Sequence, residues 1–166
     1  MIELAYDGFC VDCMAYGRRY LENNRPLSAD YLSNFAILAD ARASNHAEGY
    51  EPNAAIDGNM YSEWYSQQVP PQWIEVNLQE ERTITAIELR INQEPEAGAT
   101  THTIWGKGAT GDFVELHILS EHTEAGQWLY YEPDEPWSDI QYIRVETTDS
   151  PSEVAWYEVR VLGYGN

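Results

Sequence analysis

A chain of 166 residues is long enough for one domain, or for one domain with a short appendage. Its hydrophobic content of 43% can supply a sizeable core. The formal net charge of -19 at pH 7 makes nucleic acid and anionic membranes poor partners, because their phosphate groups would be repelled. The same charge is compatible with cation binding, with a saline environment that screens repulsion, or with solubility alone.

The chain contains no run of roughly 18 apolar residues, so we expect no helix inserted in a membrane. Residues 1–7 are acidic and lack a long apolar run, so we expect no signal peptide in this chain. The sequence predicts a soluble protein made in a cytoplasm. If it acts in an extracellular location, or on the surface of a particle such as a virion, then lysis, another secretion route or particle assembly would bring it there.

Residues 1–33 have a pattern of their own. Cys10 and Cys13 form a CxxC pair and are the only cysteines, which makes half of a zinc site at best. Free thiols, a disulfide and a metal shared between subunits all remain open. Residues 11–21 predict a short helix that ends at the Asn-Asn-Arg-Pro segment 23–26. Because so short a segment cannot bury its own apolar side chains, we expect an N-terminal extension that docks on another protein subunit or on a larger assembly.

From Asn34 onward the pattern becomes all-β. Runs rich in β-branched and aromatic residues are interrupted at short intervals by Gly, Pro, Asn and Asp. Alternation places Ile74, Val76 and Leu78 on the core face, followed by the odd positions of the next strand from Ile87. The pattern predicts an antiparallel β-sandwich or jelly roll. The predicted strands are 73–78, 84–92, 101–106, 113–119, 127–131, 140–147 and 156–162.

The loop at residues 52–64 is rich in oxygen atoms. Asp57-Gly58-Asn59 is a strong turn signal, because Gly and Asn tolerate positive φ and Asp binds its own backbone. Ile56 and Trp64 are expected to be buried and to hold the loop against the core. A loop held in this way can turn carbonyl and carboxylate oxygens inward, as calcium requires. The alternative is an ordinary hairpin turn with a capping Asp.

Six short segments carry motifs that occur together in one kind of domain. They are Asn-Phe-Ala at 34–36, Ala-Arg-Ala-Ser at 41–44, Ala-Ile-Asp-Gly-Asn at 55–59 with Ser62 and Trp64, Pro-Gln-Trp-Ile-Glu-Val-Asn-Leu at 71–78, Gln-Tyr-Ile-Arg-Val at 141–145 and Ala-Trp-Tyr-Glu-Val at 155–159. In this order and spacing they resemble discoidin domains, the coagulation factor V/VIII C-type modules, and the similar family 32 carbohydrate-binding modules. The resemblance covers residues 34–164, so we assign residues 34–166 to this domain. Residues 1–33 have no counterpart in it, and the cysteine pair that often joins the domain's ends is absent.

The resemblance implies an antiparallel β-sandwich of the galactose-binding-like kind with a structural calcium ion. The ion would lie between the Asp57 loop and the last strand. Two carboxylates with neutral oxygens suit the six to eight ligands of calcium. A pairing of Glu158 with Arg144 or Arg160 is the alternative way to compensate a carboxylate among apolar residues. The implied ligands are the side chains of Asp57 and Glu158, the carbonyls of Ala54, Asn59 and Tyr157, and the carbonyl and hydroxyl of Ser62.

We find no catalytic constellation: the four histidines are scattered, and no Ser or Cys lies in a nucleophile context. The resemblance therefore implies a non-catalytic module that binds carbohydrate on a cell surface, in a shallow cleft among loops at one end of the sandwich. Sugar recognition needs aromatic faces and hydrogen-bonding side chains. Packing at the rim is an equally good explanation for the aromatic candidates. The candidate ligand-binding residues are His46, Glu48, Tyr50, Tyr65, Asn92 and Trp156, in the loops 46–50, 65–68, 92–94 and 152–156.

A structural role is the alternative function. The chain begins with an ordinary Met, carries a binding-type domain and has an extension suited to docking. These features would suit a virion component, such as a capsid decoration or a tail or fibre protein, that uses the domain for host attachment or for particle stabilisation.

Overall fold

The computed structural model describes residues 32–37, 39–93 and 96–165. Within them, the single helical element is a short 3₁₀ helix, Pro52–Ala55. The ten strands are β1 (Leu32–Asn34), β2 (Asp40–Ala43), β3 (Trp64–Tyr65), β4 (Gln72–Ile84), β5 (Ala86–Asn92), β6 (Gly98–Lys107), β7 (Val114–Thr123), β8 (Trp128–Tyr131), β9 (Trp137–Asp149) and β10 (Ala155–Tyr164). In the described part of the chain, a helix long and apolar enough to span a membrane is absent.

The strands form two antiparallel sheets. The first has the order β1-β10-β5-β8, with β3 also paired to β10, and the second has the order β2-β4-β9-β6-β7. The apolar faces of the two sheets pack on one another, which confirms the predicted all-β antiparallel sandwich.

The core between the sheets contains the apolar residues that alternation selected. Ile56 and Trp64 are also buried, at 3% and 0% exposure, so both ends of the 56–64 loop are held in the core as predicted. Trp64 donates its indole N–H to the carbonyl of Asn45 at 2.9 Å, which satisfies the one polar atom of this buried side chain. The core-face predictions are confirmed for Ile74, Val76, Leu78, Ile87, Leu89 and Ile91.

The structure divides the predicted strand 84–92 at Thr85. β4 ends at Ile84 and belongs to the second sheet, whereas β5 begins at Ala86 and belongs to the first. The Thr85 backbone N–H and hydroxyl both donate to the carbonyl of Leu162, at 2.8 and 3.2 Å, where the chain crosses between the sheets. The buried Ile, Val and Leu residues are at even positions in β4 and at odd positions in β5, and this change of parity is the sequence signal of the crossover.

β1 closes the first sheet against the end of β10. Leu32, Ser33 and Asn34 pair with Tyr164, Gly163 and Leu162. Leu32 and Ser33, which we assigned to the extension, therefore contribute to the sandwich. The rest of the extension, with Cys10, Cys13 and the predicted helix 11–21, lies outside the described residues, so docking on another subunit stays a prediction.

Candidate functional site

The candidate glycan surface lies at one end of the first sheet. Ala155 pairs with Tyr65 on one side and with Asn92 on the other, so three strands bring these residues into one row. The next residue, Trp156, pairs with Trp64 and Ile91, which are both in the core. Because successive side chains of a strand point to opposite faces, the row that contains Tyr65 and Asn92 faces outward.

The loop after β2 is attached to this row through β3. The backbone N–H of Ala47 donates to the carbonyl of Tyr65 at 2.9 Å, and the side chain of Asn45 donates to the carbonyl of Ser66 at 2.9 Å. These bonds place Tyr50 edge-on against Tyr65, with ring centroids 5.8 Å apart and an interplanar angle of 81°. Tyr50 is 42% exposed, so the pair presents an aromatic surface to solvent.

The other two candidates on this loop are also at the surface. His46 and Glu48 are exposed, and the Nδ1 atom of His46 lies 3.1 Å from the carbonyl of Ala47. The structure therefore brings Tyr50, Tyr65 and Asn92 together, with His46 and Glu48 on the loop that carries Tyr50.

Two carboxylates, Glu63 and Glu153, complete the surface and were not among the ligand-binding residues predicted from the sequence. The hydroxyl of Tyr65 donates to Glu153, and the side-chain amide of Asn92 donates to Glu63. Two sequence signals could have identified them: Glu63 is next to Trp64, and Glu153 lies in a candidate loop. Hydroxyl and amide donors held by carboxylates form a fixed hydrogen-bonding array beside the aromatic pair.

Trp156 does not belong to the surface. Its side chain is 0% exposed and lies in the core, where its ring packs against His102 with centroids 4.8 Å apart. Its ring cannot stack on a sugar at the surface, which corrects the sequence expectation. The pattern was ambiguous because the pairing of β10 with β5 shifts register between Trp156 and Glu158. A bulge of this kind changes which side chains face inward.

The loop that holds Asp57 brings three of the implied calcium ligands together. Asp57 Oδ1 accepts a hydrogen bond from the backbone N–H of Asn59 at 2.8 Å. The hydroxyl of Ser62 lies 2.9 and 2.8 Å from the two carboxylate oxygens of Asp57, and 2.9 Å from the carbonyl oxygen of Asn59. Carboxylate, carbonyl and hydroxyl oxygens in mutual contact are a hard-oxygen donor set of the kind that calcium takes.

The same loop contacts the strands that hold Glu158. The carbonyl of Met60 accepts a hydrogen bond from Arg90 Nη1 at 2.8 Å, and Arg90 lies opposite Glu158 in the β5–β10 pairing. Glu158 is fully buried, and its Oε1 lies 3.8 Å from Nε of Arg160. Arg144 instead pairs with Glu75 at 2.7 Å in the second sheet. Of the two arginines considered from the sequence, Arg160 is therefore the one close to Glu158.

The remaining implied ligands are Ala54 and Tyr157. Ala54 belongs to the 3₁₀ helix before the loop, and Tyr157 follows Trp156 at the bulge of β10. No group of three or more His, Cys, Asp and Glu side chains suited to a metal occurs within residues 32–37, 39–93 and 96–165. A metal here would therefore need carbonyl and hydroxyl oxygens in addition to carboxylates, as in the implied ligand set.

The sandwich is similar to solved carbohydrate-binding modules. One is the family 32 module of NanJ from C. perfringens in complex with galactose, with a TM-score of 0.70 and 18% identity over 80% of this chain and 100% of that one. Another is chitosan-binding module 1 from the chitosanase/glucanase of Paenibacillus sp. IK-5, with a TM-score of 0.67 and 26% identity over 79% and 99% of the two chains. A third is the family 32 module of AlyQ in complex with 4,5-unsaturated mannuronic acid, with a TM-score of 0.62 and 18% identity over 74% and 92%.

These likenesses confirm the fold expected from the resemblance. A comparison with curated protein sequences found no match. The F5/8 type C domain matches residues 40–160, which include the Asp57 loop, the Tyr50–Tyr65 surface and β10 up to Arg160. Because this match covers well over half of the chain, the protein belongs to the F5/8 type C domain family.

Proposed function

We propose that this protein is a non-catalytic module that binds glycan on the surface formed by Tyr50, Tyr65 and Asn92. The contact between exposed Tyr50 and half-buried Tyr65, beside hydrogen-bonding side chains, is the observation that carries the proposal. Aromatic rings pack against the apolar face of a sugar, and a few placed polar groups select its hydroxyls. Similar modules have been solved with galactose and with chitotriose, which supports carbohydrate as the ligand class.

The charge of the surface narrows the class of sugar. Glu48, Glu63 and Glu153 all lie beside the tyrosine pair or on its loop. Since like charges across an interface disfavour binding, we expect a neutral sugar or an amino sugar to bind better than a uronate.

Replacing Tyr50 with Ala should weaken glycan binding about tenfold or more, because truncation of a central aromatic contact commonly costs about 2 kcal/mol. The fold should change in stability by less than about 1 kcal/mol, because the side chain is 42% exposed. Titration calorimetry with galactose, chitotriose and a uronate trisaccharide, together with urea unfolding, measures both effects.

Tyr61→Ala is the matched control for this experiment. Tyr61 is 93% exposed and lies on the Asp57 loop, and its ring takes no part in the Tyr50–Tyr65 contact. Its replacement should leave affinity unchanged. Equal affinities of the Tyr50→Ala variant and the unaltered protein for a sugar that binds would place the glycan elsewhere, and binding of none of these sugars would contradict the function.

We also propose a structural calcium ion at the Asp57 loop, held by Asp57, Asn59 and Ser62 with Glu158. A ligand that binds only the native state stabilises it by mass action, by about 2.7 kcal/mol at 100 times Kd. The melting temperature should rise with calcium and fall after chelation, and the Asp57→Ala variant should lose this response. Asp112→Ala, which removes an exposed carboxylate from another loop, should retain it. Identical melting curves of metal-free and calcium-loaded protein would rule out the ion.

A further inference from the structure

A small crevice lies directly behind the proposed glycan surface, between the ends of the two sheets. It is partly open and has a cavity volume of about 10 Å³, roughly the space that one water molecule or one hydroxyl group needs. Asn92 and Glu153 line it from the surface side, and His102, Thr147 and Trp156 line it from the core side. Asn92 and Glu153 therefore border both the crevice and the surface that carries Tyr65.

Three buried polar atoms of the residues that line this crevice have no hydrogen-bond partner among the described residues. They are Nε1 of Trp156, Nε2 of His102 and Oδ1 of Asn92. Buried polar atoms are nearly always paired in native proteins, and each orphan costs about 1–3 kcal/mol. Three orphans around one crevice therefore indicate that the crevice receives a polar group.

The chemistry of the three atoms restricts what that group can be. The indole N–H of Trp156 only donates, the amide oxygen of Asn92 only accepts, and Nε2 of His102 does either according to its tautomer. The other ring nitrogen of His102 is bonded to Thr147 Oγ1 at 2.9 Å, which holds the ring in place. A hydroxyl group, with one donor and two acceptor positions, matches this set.

The imidazole at the crevice is neutral at physiological pH. His102 is 1% exposed, and burial lowers the pKa of its side chain to about 4. Trp156 and Asn92 carry no charge either. The core side of the crevice is therefore suited to an uncharged hydroxyl rather than to a carboxylate or an ammonium group.

We propose that this crevice is a subsite that binds one hydroxyl group of the glycan, with Trp156 donating and Asn92 accepting. The proposal rests on the proposed function and adds a specificity determinant to it. The sugar ring lies against Tyr65 at the surface, and one hydroxyl enters the crevice beside Asn92. A site built to hydrogen-bond a hydroxyl rejects the analogue that lacks it, because its buried polar atoms are then left unpaired.

The indole N–H resonance of Trp156 provides a direct test on the unaltered full-length chain. We expect this resonance of ¹⁵N-labelled protein to shift on titration with galactose or chitotriose, with the dissociation constant that calorimetry gives. The indole N–H of Trp105 serves as the internal control, because it is bonded to Glu146 at 3.0 Å in the second sheet and should not move. If a probe binds in a manner that Tyr50→Ala weakens, while the Trp156 resonance stays still, the subsite is wrong and the proposed function stands. If galactose, chitotriose and the uronate trisaccharide all fail to bind, the subsite and the proposed function both fail.

The Trp156→Phe variant tests which hydroxyl is recognised. It keeps an aromatic ring in the core and removes the N–H donor, so affinity for the bound probe should fall about tenfold. Among the monodeoxy derivatives of that probe, the one that lacks the recognised hydroxyl should bind the unaltered protein about tenfold more weakly than the probe does. The same derivative should bind the variant and the unaltered protein with equal affinity. If the ratio of the two proteins' affinities is the same for every monodeoxy derivative, the crevice does not bind a specific hydroxyl. Should the variant fail to fold, the monodeoxy set and the Trp156 resonance of the unaltered chain decide: equal affinities for all derivatives would overturn the subsite.

Discussion

Replacing Trp156 with alanine should lower the free energy of unfolding by about 3–5 kcal/mol, the usual cost of truncating a buried tryptophan. The side chain is 0% exposed, packs against His102 and occupies the core between the two sheets. Truncation would remove its apolar contacts and leave a cavity that neighbouring strands cannot fill, since both sheets are held by their own hydrogen bonds. Urea unfolding at pH 7 measures the change.

Tyr50→Ala is the appropriate comparison, because it truncates an aromatic residue that is 42% exposed on the neighbouring loop. The two variants should separate a core residue from a surface residue by stability: Trp156→Ala should be strongly destabilised, whereas Tyr50→Ala should lose affinity with little change in stability. A Trp156→Ala protein that loses less than about 1 kcal/mol would show that this ring is not part of the core.

Acidification should destabilise the protein through His102. Burial lowers the pKa of its side chain from 6.5 to about 4 in the folded state. Between these pH values the unfolded chain binds a proton at this histidine that the native state does not bind. The free energy of unfolding is therefore unaffected by His102 above about pH 6.5 and falls as the pH is lowered towards 4. A shift of this size corresponds to about 3 kcal/mol, since each pKa unit is worth about 1.4 kcal/mol.

The His102→Gln variant isolates this contribution. Glutamine can keep a hydrogen bond to Thr147 but does not titrate, so the variant should lose less stability than the unaltered protein between pH 7 and pH 4. Other groups, including His117 with its own lowered pKa, are present in both proteins and cancel in the difference. The exposed His122→Gln variant should behave like the unaltered chain. Parallel stability curves for all three proteins would contradict the assignment.

The strands were predictable because their signal is local. An alternation of period two specifies which side chains share a face, and it correctly placed Ile74, Val76 and Leu78 of β4 and the odd positions of β5 from Ile87 in the core. The crossover at Thr85 was missed, although the change of parity between Ile84 and Ile87 was present in the sequence. Two runs of strand residues that meet without a turn signal resemble one strand until their partners are known.

The candidate site was predictable only as a set of loops. Tyr50 and Tyr65 were selected as aromatic residues in those loops, and the structure places their rings together. Glu63 and Glu153 were not, because an acidic chain offers many carboxylates and the sequence does not show which ones meet Asn92 or Tyr65. Selecting them requires the pairing of β3, β5 and β10, which are far apart in the sequence.

The sequence by itself determined the all-β architecture, the buried ends of the Asp57 loop and the family to which the chain belongs. These properties follow from short-range periodicity and from motifs within single segments. Only the tertiary structure decided that Trp156 faces inward, because its direction depends on the register of β10 with two other strands and on the bulge after it. Only the tertiary structure could reveal the crevice, because Asn92, His102 and Trp156 come from three strands in two sheets and meet only when the sheets pack.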